Sequence, residues 1–309
     1  MQQKILYLFT RTPLHVGTGN TVGAIDQPVA REKHTGFPVI PGSAVKGVLA
    51  DGSGYLAERR SGTRTEIGRD LFGHEMPEDE SATSGSLAFS EAKLFAFPVR
   101  SAKGCFAWVT SPLILQRWKR DVASILDVNM PNPEPKDLEI YGDASTLALS
   151  ENQTDGQDET ADPNQIVLED YVFKHIGDFD DAANLAGLLT PEAPPDGAAG
   201  DAAARQRDTL WGSLCAQHFC VISDDMMSHF ARNACEIAPH VKIDDQAGTA
   251  ADKALFNQEN VPAETLFYAV ISELRAGKLA LLSVPAVLQI GGDATTGHGF
   301  CSTRLASQT

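Results

Sequence analysis

Asp26 is the carboxylate of this 309-residue chain whose setting best suits chemistry, because it follows a glycine-rich stretch and stands among Ala24, Ile25, Pro28 and Val29. A carboxylate so placed can bind a divalent ion or take a proton from a ribose 2′-hydroxyl. It can equally close an Asx-turn that only holds a loop in shape. His15, about one loop away, adds an imidazole, a side chain suited to general acid or base work or to a structural hydrogen bond. Glu264, Tyr268 and His298 bring further titratable groups late in the chain, but no spacing rule ties them to Asp26.

Two glycine clusters flank these residues in sequence. Gly17 and Gly19 lie in GTGNTVGAID, and Gly291, Gly292, Gly297 and Gly299 lie in GGDATTGHG. Neither has the GK[ST] ending of a P-loop or the strand-to-helix context of a dinucleotide site. Glycine tolerates positive φ and close backbone approach, so each cluster can be an ordinary tight turn. Together they can also grip a sugar-phosphate backbone without reading bases. Pro38 and Pro41 hold an extended approach to Ser43, which fits the N-cap of a helix starting near Ala44. Lys46 then falls near the first turn, where the helix dipole disfavours a cation, and a bound phosphate would satisfy both. Arg31, Lys33, Arg100, Lys103, Arg117, Lys119 and Arg120 extend the positive set, each individually a solvated surface charge. Phe95, Phe97, Phe106, Trp108 and Trp118 could stack bases, although Phe95 and Phe97 alternate like strand core.

Elements that could position these groups are readable at both ends. Residues 4–10 (KILYLFT) read as a strand, 85–98 as one or two more, and 106–120 as an extended stretch passing into a helix with a basic tail. Asp224 or Asp225 fits a helix cap, 266–271 a strand, and 300–305 a final strand after the second glycine turn. The expected fold class is α+β, an RRM-like or ferredoxin-like core with long inserted loops. Net charge is −16, but unevenly spread: residues 1–125 carry 15 Lys and Arg against 12 Asp and Glu, and residues 126–205 carry 3 against 18. Residues 1–126 and 206–309 are therefore expected to form one core domain, with 127–205 an acidic, loop-rich insertion in which only IVLEDYVFKHIG looks strand-like. Five cysteines without a CxxC pair suggest neither a zinc ribbon nor a disulfide framework. No apolar run approaches the ~18 residues of a membrane span. The short N-terminal run meets Arg11 and Pro13 without a cleavage signal, so residence in the cytoplasm is expected.

The runs TPLHVGTG, VGAIDQPVAREKHTGFPVIPGSAVKGVL, FPVRSAKGCFAWVTSPLILQRWKRD and LQIGGDATTGHGF resemble the RAMP superfamily of CRISPR-associated proteins. Within it they look like the backbone subunits of type III-B Cmr complexes. Type III-A backbone subunits are similar in the IDxPV and IPGS-x-KG blocks, but the FPVRS to FAWVTSP block and the length favour type III-B. The resemblance implies an RRM-like core that polymerises with copies of itself along a guide crRNA, beside other Cmr subunits. A β-hairpin thumb would separate guide from single-stranded target RNA, and the target would be cut beside each thumb. The cleavage role then falls on Asp26, assisted less firmly by His15, with a divalent ion such as Mg²⁺ or Mn²⁺ at Asp26. Lys46, Ser43, Gly17 and Gly19 would hold guide backbone with the terminal glycines Gly291, Gly292, Gly297 and Gly299. The long acidic middle departs from the family pattern and gives no motif for the thumb. The alternative is a structural RNA-binding backbone that does not cut.

Overall fold

The computed structural model describes residues 2–19, 25–52, 54–58, 63–74, 83–126, 130, 132–149, 164–189, 213–243 and 250–306. In chain order, β1 (Gln3–Thr10) leads through bridged loop to β2 (Val39–Ile40) and α1 (Gly42–Gly52). Then come β3 (Leu56–Glu58), β4 (Thr63–Arg64), α2 (Glu66–Phe72), β5 (Leu87–Phe89), β6 (Ala92–Arg100), β7 (Phe106–Thr110) and α3 (Pro112–Val122). The middle of the chain forms β8 (Glu139–Tyr141), α4 (Ala144–Leu147), β9 (Gln165–Leu168), β10 (Tyr171–Gly177) and α5 (Ala182–Leu189). The last part forms β11 (Phe219–Ile222), α6 (Asp224–Asn233), β12 (Glu236–Ile243), β13 (Ala250–Asn260), β14 (Leu266–Glu273), β15 (Val287–Gln289) and β16 (Phe300–Ala306).

Among the described residues one large mixed sheet runs β15-β16-β1-β14-β6-β7-β11-β8-β10-β9, with β2 added on β6 and β5 on β14. The pairs β7–β11 and β8–β10 are parallel and the other ladders of this sheet antiparallel. Residues 5–10 of β1 are buried on both faces, which is why the strand reads as a continuous apolar run instead of alternating. β12 and β13 form a separate two-stranded hairpin, and β13 is bridged to Gln27 through Gln258.

Local chemistry explains the helices and corrects two boundaries. Ser111 caps α3 by accepting from the Ile114 N–H, with Pro112 at the first helical position, where a missing N–H costs nothing. Ile114, Leu115, Trp118 and Val122 form its buried stripe, and Lys119 and Arg120 sit in the last turn, favourable to the dipole. Ser43 does not cap α1. The helix begins at Gly42, Pro41 O accepts the N–H groups of Ala44 and Val45, and Lys46 stands one turn in. α6 is capped by Ser223, not by an aspartate; Asp224 and Asp225 occupy its first turn, and Asp224 Oδ1 accepts from Leu113 N at 2.9 Å.

The stretch expected to be a loop-rich insertion supplies β8, β9 and β10 to the sheet, and Ile140, Ile166, Leu168 and Phe173 are fully buried. The strand-like run IVLEDYVFKHIG forms β9 and β10; β8, three residues with one of them buried, adds little to average hydropathy, so composition concealed it. Residues 150–163 and 190–212, which carry much of the acidic and alanine-glycine sequence, lie outside the described residues. All five cysteines are free thiols. Among the described residues no helix is long and apolar enough to cross a membrane.

Candidate functional site

Four segments far apart in sequence meet at the base of the β12–β13 hairpin. The 13–17 segment lies against the end of β13: Leu14 and Val261 exchange N–H···O bonds of 2.8 and 2.9 Å. The 25–30 segment continues along the same edge of β13, opposite β12, with Gln27 N–H donating to Asn257 O (3.1 Å) and Gln27 O accepting from Glu259 N–H (2.9 Å). These two segments also join each other, Ala30 N–H donating to Val16 O at 2.7 Å. The glycine turn closes the arrangement: Gly292 N–H donates to His15 O (2.9 Å) and Gly299 N–H to Pro13 O (2.8 Å).

Asp26 is exposed, and its Oδ2 accepts the Asn257 N–H at 2.8 Å. One carboxylate oxygen is thus fixed, while the other has no partner among the described residues. His15 Nδ1 lies 2.7 Å from Glu259 O. A carbonyl oxygen only accepts, so Nδ1 carries the proton, and in the neutral ring Nε2 keeps the lone pair. The anchoring groups of Asp26 and His15 are two residues apart on one strand, about 7 Å by strand rise.

The glycines have separate reasons. A Cβ on Gly17 would stand 2.7 Å from His15 Nε2, so glycine makes room for the ring. Gly291 has φ +83°, and a Cβ there would meet His15 O at 2.1 Å. Gly299 and Gly297 also have positive φ and close the turn, and Gly19 stands exposed at the edge of the described residues. Asp26, His15, Gly17, Gly291 and Gly292 are therefore brought together. Lys46 and Ser43 are on α1, which packs against β15, the strand leading into the glycine turn; no contact joins them to Asp26.

Several residues behave differently from their sequence reading. Arg31 is no solvated charge. Its guanidinium meets Glu259 Oε1 at 2.5 Å, Gly36 O at 2.8 Å and Ala231 O at 2.6 Å. Phe95, Phe97, Trp108 and Trp118 are core and unavailable for base stacking. Tyr268 is buried and donates to Asp121 Oδ2 at 3.1 Å, away from Asp26. Reading the sequence missed Asn257, Gln258, Glu259 and Asn260. Their signal was the polar run NQEN just before Val261 and Pro262, where a surface turn would be expected but 258–260 are buried. Gln258 Nε2 donates to Asn260 Oδ1 (3.0 Å) and to Asp293 Oδ2 (2.8 Å), linking the hairpin base to the glycine turn.

The described residues hold no group of three or more His, Cys, Asp or Glu side chains able to coordinate a metal ion. Among the described residues Asp26 would be a single ligand to a metal ion.

A family model described as the RAMP superfamily matches residues 8–302. The chain belongs to the RAMP superfamily. The CRISPR system Cmr endoribonuclease Cmr4 of Pyrococcus furiosus is 31% identical over 326 residues, covering 100% of this chain and 97% of that protein. The Cmr subunit Cmr4 of Saccharolobus solfataricus is 23% identical, covering 97% and 96%. The crystal structure of oligomeric Cmr4 from Pyrococcus furiosus superposes with a TM-score of 0.67 at 27% identity, over 100% of this chain and 99% of that one. A type III-B Cmr-beta structure bound to cognate target RNA shares the fold, with a TM-score of 0.66 at 18% identity and coverage of 99% and 97%. In this RAMP chain the motif blocks at both ends are thus the segments that converge on the hairpin base.

Proposed function

We propose that this chain is a backbone subunit of a type III-B CRISPR effector, which holds guide crRNA and cuts complementary single-stranded target RNA at regular intervals. The observation that carries the cutting role is the pairing of an exposed, singly anchored Asp26 carboxylate with a His15 ring whose Nδ1 is committed to a carbonyl. The full-length similarity to a protein named as an endoribonuclease supports it.

In the reaction, the Asp26 carboxylate takes the proton of a target 2′-hydroxyl. The 2′-oxygen bonds to the adjacent phosphorus as the P–O5′ bond breaks, leaving a 2′,3′-cyclic phosphate and a 5′-hydroxyl. A protonated His15 gives its Nε2 proton to the departing 5′-oxygen. No step is routed through a metal ion. Mg²⁺ or Mn²⁺ has a place here only if it arrives with the RNA, whose phosphates and waters supply most of its ligands.

The finer assignments follow the same pattern. The strand order β16-β1-β14-β6, antiparallel throughout, is that of a ferredoxin-like sheet with α1 after its first strand, and we assign it as the RRM-like core. The β12–β13 hairpin is assigned as the thumb: it leaves the main sheet, exposes Ile237, Val241 and Leu255, and carries Asn257 at its base. Lys46 and the glycine turn are assigned to guide backbone. Residues 127–205 are retained as an insertion that extends the sheet, and copies of the chain with other Cmr subunits are the proposed partners, in the cytoplasm.

The test uses the effector reconstituted on guide RNA with end-labelled complementary target, in Mg²⁺, Mn²⁺ or EDTA. D26N should assemble and bind target as the wild type does, yet leave it whole. Periodic cutting by D26N at the wild-type rate would remove Asp26 from the mechanism, and an intact target with the wild type would leave a purely structural backbone. The EDTA lane reads the ion requirement.

A further inference from the structure

Glu259 is 2% exposed, and each of its polar groups is used on a different part of the site. Its Oε1 accepts from Arg31 Nη2 at 2.5 Å and its Oε2 from Val29 N–H at 3.0 Å. Its own N–H goes to Gln27 O at 2.9 Å, and its carbonyl takes the His15 Nδ1 proton at 2.7 Å. Gln27 and Val29 bracket the backbone just after Asp26. One residue therefore fixes both the loop that carries the carboxylate and the His15 ring anchored next to it on β13.

We infer that Glu259, paired with Arg31, is the positioning residue of the cleavage site: it sets the Asp26 loop and the His15 ring in one geometry without touching RNA. Resting on the cleavage role of Asp26, this goes beyond it by naming what holds the site. Both partners of the Glu259 side chain are donors, a guanidinium and a backbone N–H, so the residue must present two acceptors. Only a carboxylate of this length does so. Glutamine would turn its NH₂ toward one of the donors and leave either Arg31 without its anion or Val29 N–H unpaired. Arg31 also reaches Gly36 O, Ala231 O and Cys235 Sγ, tying the same loop to the C-terminal end of α6. The loop is thereby clamped between the hairpin base and a helix, and an error in either anchor shifts Asp26.

The test compares wild type, E259Q, the paired variant R31M/E259M and D26N in effectors reconstituted on guide RNA, with single-turnover cleavage and target affinity measured separately. E259Q is expected to leave target affinity within about 2-fold and to slow cutting on the order of 100-fold per assembled complex, the scale of a small misplacement of reacting groups. Residual cuts should fall at the wild-type positions, since the guide still sets the register. The paired variant replaces both charges with apolar groups and so avoids a lone buried charge. It should assemble well and cut as slowly as E259Q. Cleavage within about 3-fold of wild type by either variant would overturn the inference, because misplacement on this scale costs far more. Failure of both to assemble would make the pair a folding requirement and overturn it too. If D26N cuts like wild type, the cleavage role itself fails; if D26N is inactive while E259Q is normal, only the positioning role fails.

Discussion

The aromatic core beneath α3 and the hairpin base are both buried, and they are held by opposite means. Under α3, Phe95 makes edge contacts with Trp118 (5.3 Å between centroids) and Tyr268 (6.3 Å), and the few polar groups among the rings are buried with them. There Trp118 Nε1 donates to Tyr7 OH at 3.1 Å, and burial pushes the Tyr7 hydroxyl up to about 12. At the hairpin base Gln258, Glu259 and Asn260 are as buried as the aromatics, but Gln258 and Glu259 are bonded to Asp293 and Arg31, far away in sequence, and Asn260 to Gln258 beside it. Apolar packing is non-directional and sets stability. A buried polar network is directional, and it sets geometry.

That contrast can be broken experimentally. The largest change in stability should come from Trp118→Ala, about 3–5 kcal/mol for an aromatic removed from a packed core. Chemical denaturation should report it, while cleavage per assembled complex stays at the wild-type rate. Gly291→Ala should do the reverse. Its positive φ alone makes alanine cost about 1–3 kcal/mol, and the new methyl meets the carbonyl of His15. Cleavage should then fall by about 10-fold or more, a displacement effect out of proportion to the stability change. If the two losses scale together at both sites, the division of labour is wrong.

A smaller effect tests the rim of the aromatic core. Burial disfavours the charge on Asp121, but hydrogen bonds from Lys93, Arg120 and Tyr268 and the Lys93 cation outweigh it and hold the carboxyl below 3.8. The unfolded chain therefore binds this proton first as pH falls. Asp121 contributes its full stability above 3.8 and loses it as pH drops through the lower folded value. Acid unfolding of D121N should be shallower than wild type below pH 3.8, and a parallel curve would show that the charge does not matter there.

The sheet was legible wherever burial makes a local pattern. The apolar run of β1, the basic-tailed helix α3 and the strands β14 and β16 each announce themselves within ten residues or so. Asp26 and His15 stood out by type and by resemblance, yet nothing local distinguished a working carboxylate from a turn former. The β12–β13 hairpin went unread although Ile237 and Val241 alternate correctly, because Pro239 lies between them and no tight-turn signal follows. Glu259 was illegible for a deeper reason. Its meaning lies in Arg31, Val29 and His15, more than 220 positions away, and a single sequence carries no trace of that pairing.

The distance has a consequence for how the protein comes into being. His15 waits for a carbonyl 244 positions later, and its own carbonyl for the turn at Gly292. At ~5–20 residues per second, a ribosome needs roughly 12–50 s to deliver the hairpin base after the histidine has emerged. The strands that pack early therefore cannot by themselves fix Asp26 and His15, whose geometry waits until the chain through Gly292 has been made.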